Sequence, residues 1–321
     1  MERYQRQMML PEIGPQGQQK LRAARVLVVG AGGLGATLLP QLVGAGVGYL
    51  RVCDDDHVAL HNLHRQTLFT EQELGQPKVI CAQRALRERN SEVQIDAVPW
   101  AVGASRLPTL LTAIDLVIDA ADNFAVTYAL SDACYCVGIP LISASVLGRQ
   151  GYVGGFCGSA PSYRAVFPAL PRTAATCNTA GVMGPAVATL GAMQAQMALS
   201  VLLALAPSPL GCVINCDFVN WHFSAFRFDG AEEPIQTVPF IDVPLLREDD
   251  CVVELRSEAE APVSVTDGVI RLLPHALDAW QPPSARRIVL VCASGMRAAQ
   301  AASALARRGH TQLAILAAGR A

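Results

Sequence analysis

Four closely spaced glycines near the N-terminus place the strongest constraint on how this chain can fold. Gly30, Gly32, Gly33 and Gly35 follow the apolar run ARVLVV and precede a stretch with helical character. The G-x-G-x-x-G spacing within them permits a tight turn from a strand into a helix, with the backbone close to a phosphate at the helix N-terminus. These glycines therefore predict a nucleotide-binding turn.

Apolar runs alternate with helical patterns over the first half of the chain. This alternation predicts an α/β fold with a doubly wound, mostly parallel, Rossmann-like sheet covered by helices on both faces. Shorter strands follow, and the last two are expected to pair antiparallel. The runs predicted as strands are 24–31, 49–54, 93–100, 115–121 and 140–146, then 212–218 and 221–228.

The composition bounds the possible partners. Hydrophobic residues make up 51% of the 321 residues and charged residues 16%, against a charged share of about 25% in typical domains. Such a chain is expected to bury extra surface, most simply in a homodimer. The net charge of −2 gives no reason to propose nucleic acid or an anionic membrane as a partner.

One long stretch without charged residues raises the question of whether the chain spans a membrane. No acidic or basic residue occurs between Arg172 and Asp217, which is long enough to span a bilayer. Gln194 and Gln196 lie inside its best helix, which favours a buried core or dimer helix over a membrane span. The start MERYQRQMML lacks the features of a signal peptide. The ten cysteines show no C-x-x-C pair, so a cytoplasmic, reduced protein is expected.

The composition changes after residue 228. Residues 229–249 are rich in proline and acidic side chains without periodicity, which predicts a linker. Residues 250–321 then contain two strand-like runs, CVVEL and RRIVLVCA, and the helical run RAAQAASALARRG. We expect a first domain over 1–228 and a second, small α/β domain over 250–321.

Polar residues downstream of the glycine turn indicate whether the turn binds NAD or a nucleoside triphosphate. Asp54 ends the second predicted strand, where it can bind ribose hydroxyls, and alone this would also suit NAD. Arg65 and Lys78 add two cations, and Asp122 follows a strand end. Two cations and a carboxylate at the ligand-binding edge of such a sheet suit a nucleoside triphosphate with magnesium.

Six ordered motifs over about residues 2–228 resemble those of the MoeB/ThiF (HesA) adenylyltransferases, relatives of ubiquitin-activating enzymes. The resemblance implies ATP-dependent, magnesium-dependent adenylation of the C-terminal glycine of a ubiquitin-like sulfur-carrier protein ending in Gly-Gly. The motifs are RYQRQMMLPEIGPQGQQKL, GAGGLG, NLHRQ, GQPK, DAADN and CNTAGVMGP.

The resemblance also implies roles for the residues after the glycine turn. Asp54 would bind the ribose, while Asn62, Arg65 and Lys78 would contact the phosphates. Asp122 would hold the magnesium ion. Two alternatives stay open: Asn62 can serve only its turn, and Asp122 can cap the helix that follows it.

Two further residues are assigned by the same resemblance. Arg6 would reach across a homodimer interface to the ATP of the partner subunit. Cys177 matches a cysteine that some members of the family use for a covalent adduct with the carrier. The alternative for Cys177 is a buried, small apolar side chain.

The chain departs from the family at its zinc site. Members commonly bind structural zinc through two C-x-x-C pairs, but Ser162 and Ala165 stand at the first pair, and 226–239 contains no cysteine. Neither serine nor alanine replaces a thiolate on zinc. We therefore expect no zinc.

The tail resembles a short rhodanese domain. CASGMR, residues 292–297, matches the rhodanese loop in which backbone amides and the arginine favour a thiolate and then a persulfide. The resemblance implies that Cys292 carries sulfur, with a cysteine desulfurase as a candidate donor. Glu254 stands where that family usually has aspartate, so the alternative is a degenerate tail retained for packing.

These observations lead to one main hypothesis and two alternatives. The main hypothesis is an adenylyltransferase that activates a sulfur carrier and then helps convert its C-terminus to a thiocarboxylate. The alternatives are a non-catalytic carrier-binding protein and an NAD-dependent oxidoreductase.

Overall fold

The described residues form two β-sheets, an N-terminal one of eight strands and a C-terminal one of five. The computed structural model describes residues 2–170, 181–273, 276–283 and 286–319. The strands of the first sheet are β1 (Arg25–Val29), β2 (Tyr49–Cys53), β3 (Gln94–Val98), β4 (Leu116–Asp119), β5 (Pro140–Leu147), β6 (Gln150–Cys157), β7 (Cys212–Asp217) and β8 (His222–Arg227). Those of the second are β9 (Phe240–Ile241), β10 (Cys251–Glu254), β11 (Ile270–Arg271), β12 (Ile288–Cys292) and β13 (Leu313–Ala317).

Helices connect most of the parallel strands, and short 3₁₀ turns supplement them. The α-helices are α1 (Gln5–Met8), α2 (Gly14–Ala23), α3 (Gly33–Ala45), α4 (Lys78–Arg89), α5 (Leu107–Leu110), α6 (Phe124–Val137), α7 (Tyr163–Val166), α8 (Gly184–Leu203) and α9 (Met296–Arg307). The 3₁₀ turns are Glu2–Tyr4, Leu60–Asn62, Glu71–Glu73, Ala104–Arg106 and Val243–Leu245.

The first sheet confirms the predicted α/β class. Its strand order is β3-β2-β1-β4-β5-β6-β7-β8, in which β1 to β5 are parallel and β6 to β8 run antiparallel. The chain moves outward from β1 to β3 and then returns to the other side of β1 at β4. Ligands bind in open α/β sheets at such a reversal, beside the carboxyl ends of the strands.

Helix α8 occupies the uncharged stretch of the sequence. By length and composition it is the one helix in the described part of the chain that can cross a membrane, with a mean hydropathy of 1.5 over its best window. Half of that window is buried inside the fold. Gly191 allows close contact with α3, because a Cβ atom there would lie 2.7 Å from the carbonyl oxygen of Leu34. Helix α8 therefore packs as a core helix. Such a helix can have the same length and hydropathy as a membrane span.

The second sheet is parallel, with the order β11-β10-β12-β13-β9. Its edge strand β9 lies inside 229–249, where the sequence predicts only a linker. Phe240 pairs with Ile315 in β13, and the carboxylate of Asp242 accepts hydrogen bonds from the backbone N–H and hydroxyl of Ser105. This segment therefore differs from a plain linker, since it adds a strand to one sheet and contacts the other half of the chain.

The two sheets share one apolar core. Leu27 and Tyr128 of the first half belong to the same buried cluster as Phe240, Val253 and Leu290 of the second. The rings of Tyr128 and Phe240 lie 5.7 Å apart between centroids. Apolar area buried in this contact stabilises both halves together.

Phe240→Ala tests this shared core. Phe240 is buried, and loss of a buried phenylalanine typically costs about 3–5 kcal/mol of unfolding free energy. We expect a loss of that order in urea unfolding. Ile235→Ala is the matched control, because Ile235 is fully exposed. Equal, small effects of the two substitutions would contradict a core shared between the sheets.

Candidate active site

The glycine turn joins β1 to α3 at the reversal of strand order. Gly30 has φ of +104°, and a Cβ atom there would lie 2.5 Å from the carbonyl oxygen of Ala120. A Cβ at Gly33 would lie 2.6 Å from Val187, and one at Gly35 would overlap the carbonyl oxygen of Gly30. These three glycines are thus required by the packing of the chain itself. At Gly32 a Cβ would meet nothing nearer than the Gln66 side chain, at 3.6 Å.

The N-terminus of α3 is available to an anion. Gly32 is the N-cap residue, and no side chain caps the helix. The first N–H groups of an α-helix have no partner within the helix, and the helix dipole adds positive potential there. The turn therefore fits a phosphate group, as the glycine spacing predicts.

Asp54 closes the turn from the side of β2. Its Oδ2 accepts a hydrogen bond of 2.7 Å from the backbone N–H of Ala31, and its Oδ1 accepts one of 2.8 Å from Asp56. Burial raises the pKa of the Asp54 carboxyl, while the positive charge of Lys78 and the two N–H donors oppose that rise. Each carboxylate oxygen has a second lone pair, so Asp54 can hold the turn and still accept a hydroxyl. Its binding of ribose stays a prediction.

Arg65 and Asn62 lie against the first turn of α3. The Nη2 of Arg65 donates to Oδ1 of Asn62 at 2.9 Å, and Nη1 lies 2.8 Å from Nε2 of His64. A Cβ at Gly33 would be 3.5 Å from the Arg65 side chain. The structure thus brings Arg65 to the turn, with Asn62 holding its guanidinium.

Lys78 is the first residue of α4, and its side chain is buried. Its Nζ lies 2.7 Å from Oδ2 of Asp56, whose own side chain is mostly exposed. A buried ammonium group needs a negative partner, and Asp56 supplies one. Asp56 belongs to the run DDD that begins at Asp54, but it lies in none of the motifs named above.

Asp122 follows β4 with a free carboxylate. The N-cap of α6 is Asn123, whose Oδ1 accepts a hydrogen bond of 2.9 Å from the N–H of Ala125. The alternative that Asp122 caps this helix is therefore wrong. Asp122 is exposed, and no residue in the described ranges forms a hydrogen bond or ion pair with it. An unpartnered carboxylate beside the turn fits a magnesium ion that accompanies a triphosphate.

Asp119, at the end of β4, is a buried acid that the sequence did not reveal. Its carboxylate accepts hydrogen bonds from the hydroxyl of Ser143 at 2.9 Å and the N–H of Ala121 at 3.2 Å. Its carbonyl oxygen accepts one from Gln194 at 2.7 Å. Burial raises the pKa of Asp119 to about 6. Asp119 thus orders the chain just before Asp122.

Two predicted residues are not joined to this site. Arg6 is exposed on α1, and its guanidinium contacts Met9 at 3.8 Å but forms no hydrogen bond with the turn, Lys78 or Asp122. Its predicted role in a partner's site stays a prediction. Cys177 lies in 171–180, outside the described residues.

Cys292 lies at the carboxyl end of β12, in the second sheet. Its sulfur accepts a hydrogen bond of 3.3 Å from the N–H of Ala298, and it is buried. Gly295, with φ of +83°, turns the chain into α9. Arg297, which the rhodanese resemblance places beside the thiolate, pairs with Glu260 at 2.8 Å and also interacts electrostatically with Cys292. Glu254 pairs with Arg256 at 2.7 Å.

The fold and the first site define an α/β protein with a Rossmann-like sheet. A glycine turn with an uncapped helix N-terminus, two cations and a free carboxylate lie at the carboxyl edge of a Rossmann-like sheet. Comparison with known proteins gives the particular family: the chain belongs to the ThiF family, whose profile matches residues 4–236.

Several similar proteins carry the names of adenylyltransferases or activating enzymes. The chain is 39% identical over 231 residues to the sulfur carrier protein adenylyltransferase of Thermus thermophilus, covering 70% of this chain and 85% of that one. It is 38% identical over 254 residues to the SAMP-activating enzyme E1 of Haloferax volcanii, covering 75% and 94%. It is 42% identical over 228 residues to the adenylyltransferase and sulfurtransferase MOCS3 of Bos taurus, covering 70% of this chain. The chain spans about half the length of that MOCS3 protein.

Solved structures support the fold. The crystal structure of E. coli MccB matches with a TM-score of 0.64 at 22% identity, covering 73% of this chain and 71% of MccB. A structure of MccB with ATP matches with a TM-score of 0.58 at 20% identity, covering 68% and 66%.

Asp119→Asn should change how stability depends on pH. The folded protein keeps its Asp119 proton up to about pH 6, whereas an unfolded aspartate loses it near pH 4. The contribution of Asp119 is therefore most favourable below pH 4 and is lost as the pH rises through 6. Asparagine stays neutral, so the unfolding free energy of the variant should gain about 2–3 kcal/mol relative to wild type between pH 4 and pH 7.5.

Urea unfolding at the two pH values measures this gain. Asp267→Asn serves as the control, because Asp267 is exposed. A difference between wild type and Asp119→Asn that is the same at both pH values would show that Asp119 does not titrate in this window.

Proposed function

We propose that this protein uses ATP with magnesium to adenylate the C-terminal glycine of a ubiquitin-like sulfur-carrier protein ending in Gly-Gly. One observation carries the proposal: an uncapped helix N-terminus, Arg65, Lys78 and the free carboxylate of Asp122 meet at the reversal of strand order. Family membership and the names of the relatives support the same chemistry. ATP is the substrate that such a charge distribution suits.

The reaction needs positioning and charge stabilisation rather than a protein nucleophile. A carboxylate oxygen of the carrier attacks the α-phosphorus of ATP, the bond from that phosphorus to pyrophosphate breaks, and an acyl adenylate forms. Negative charge develops on the phosphate oxygens, where Arg65 and Lys78 can stabilise it. Asp122 would hold the magnesium that comes with the triphosphate. Asp56 pairs with Lys78 and orients its side chain before ATP arrives.

A homodimer is part of the proposal. Arg6 has no ion pair within its own chain among the described residues, and Met9 and Leu10 beside it are exposed apolar side chains. An apolar surface next to an unpaired cation suits contact with a second subunit. Arg6 would then supply a third cation to the ATP of the partner.

Asp122→Ala should abolish magnesium-dependent ATP–pyrophosphate exchange in the presence of a Gly-Gly carrier. The expected loss is about 100-fold or more, the usual effect of removing a key group that stabilises transition-state charge. Thermal unfolding should change little, because Asp122 is exposed and packs against no core. Asp267→Ala is the matched control for loss of an exposed carboxylate.

Exchange near the wild-type rate in Asp122→Ala would refute the magnesium role. Absence of exchange in the wild-type protein with every candidate carrier would favour the alternative of a non-catalytic carrier-binding protein. Stabilisation by NAD and not by ATP would favour the oxidoreductase alternative.

Sulfur transfer is the second half of the proposal and depends on the tail. A persulfide on Cys292, loaded by a cysteine desulfurase, would attack the acyl carbon of the adenylate through its terminal sulfur, and AMP would leave. The carrier would then be joined to Cys292 by an acyl disulfide. A thiolate at Cys177 could attack the Cys292 sulfur, releasing the thiocarboxylate and forming a disulfide that a cellular thiol reduces. The strand–loop–helix setting of Cys292 and the N–H group of Ala298 support this role.

Cys292→Ala should block thiocarboxylate formation and leave ATP–pyrophosphate exchange unchanged, because the two sets of residues lie in different sheets. After incubation with a desulfurase and cysteine, the wild-type peptide containing Cys292 should gain one sulfur mass. Cys136→Ala is the control, since Cys136 is an exposed cysteine outside both sites.

Loss of both activities in Cys292→Ala would mean that the tail is structural. Full retention of both would mean that sulfur reaches the carrier from another protein.

A further inference from the structure

Ser162 stands at the first of the zinc-ligand positions that the family resemblance implies, and it forms hydrogen bonds instead. The backbone N–H and the hydroxyl of Ser162 donate to the two carboxylate oxygens of Glu233, each at 2.6 Å. Across the ranges that the structure describes, no three histidine, cysteine or acidic side chains are grouped to hold a metal. With Ser162 and Ala165 in place of thiolates, these residues do not fit zinc.

A second connection lies two residues further along. Arg164 is buried and forms a two-pronged ion pair with Asp132 on α6, at 2.5 and 2.8 Å. The same guanidinium donates to the carbonyl oxygen of Val238 at 3.1 Å and lies over the ring of Tyr128. Ser162 and Arg164 thus bind the stretch after β8 at two points, Glu233 and Val238.

This stretch leads into β9, and Phe240 of β9 contacts the loop of Cys292. Phe240 follows two residues after Val238, and its ring packs on Tyr128. On its other side, a Cβ atom at Gly295 would lie 2.8 Å from the Phe240 ring. Phe240 is therefore held between α6 of the first half and the loop that carries Cys292.

We propose that residues 231–239 form a strap, fastened by Ser162–Glu233 and Arg164–Val238 in place of a metal, that positions the Cys292 loop against the adenylating half. Ser162, Arg164 and Glu233 are then positioning residues for the tail. The contacts that hold the strap and the Cys292 loop do not depend on any activity of the protein. Its catalytic consequence rests on the proposed function.

The strap is consistent with the physical chemistry of its contacts. Both bonds to Glu233 involve a carboxylate, and hydrogen bonds to charged groups are stronger than neutral ones. Arg164 can bind Asp132 and Val238 at once because its guanidinium offers several N–H donors in a fixed fork. Lysine at this position has no such fork.

Glu233→Ala tests the strap, and Glu232→Ala is its matched control because Glu232 is the exposed neighbouring acid. In Glu233→Ala, amide hydrogen exchange in peptides covering 229–241 should become about tenfold faster or more, since charged hydrogen bonds hold the segment closed. Alkylation of Cys292, followed on its own peptide, should also accelerate. Glu233→Asp should restore part of the protection.

The expected catalytic result is a split between the two activities. Glu233→Ala and Arg164→Lys should slow thiocarboxylate formation while leaving ATP–pyrophosphate exchange at the wild-type rate. A merely destabilised fold would lower both activities together.

Two results would overturn the strap. One is equal hydrogen exchange and equal Cys292 alkylation in Glu233→Ala and Glu232→Ala. The other is stoichiometric zinc in the purified protein, removed by a chelator with a fall in melting temperature. Neither readout requires ATP or a carrier, so a failure of the proposed function would leave this result intact.

Discussion

The close approach of the glycine turn to the end of β4 is the constraint on which the first site depends. Gly30 lies so near the carbonyl of Ala120 that a Cβ atom would be 2.5 Å from its oxygen. The N–H of Gly30 also donates to Cys53 at the end of β2, and Asp54 accepts from Ala31. Three strand ends are thereby locked together, so the N-terminus of α3 and the carboxylate of Asp122 keep a fixed relation. A site that stabilises charge needs this kind of pre-organisation.

The charged side chains around the glycine turn differ in whether other residues of the protein bind them. Lys78 is buried and pairs with the carboxylate of Asp56, whereas burial raises the pKa of Asp119 to about 6 although neutral donors bind its carboxylate. Asp122 has no partner in the described part of the chain. Ion pairs between exposed groups contribute little to stability, so the fold does not require a partner for the exposed carboxylate of Asp122. The buried Lys78 is thus paired within the protein, and the proposed magnesium ion would be the partner of Asp122.

Local patterns predicted the first sheet, the glycine turn and the antiparallel β7–β8 pair, because each depends on residues close together in the sequence. Two features depend on distant contacts and could not be predicted in that way. Strand β9 has two residues, and its partner Ile315 is far along the chain, so 229–249 shows no strand periodicity. The burial of Asp119 depends on Ser143 in the neighbouring strand, and an aspartate at a strand end is indistinguishable in sequence from an exposed one. The roles of Arg6 and Cys177 stay predictions.

Helix α6 connects the two halves of the proposed chemistry. Its N-terminus begins directly after Asp122, and Asn123 caps it. One turn later Tyr128 packs on Phe240, and in the next turn Asp132 holds Arg164. The helix thus fixes the carboxylate of the proposed adenylation site at one end and, along its side, the proposed strap that supports the Cys292 loop. Helices bend little over such a short length, so a displacement of the strap would move the tail relative to α6 and leave Asp122 in place. This geometry is why the two activities are expected to separate when the strap is broken.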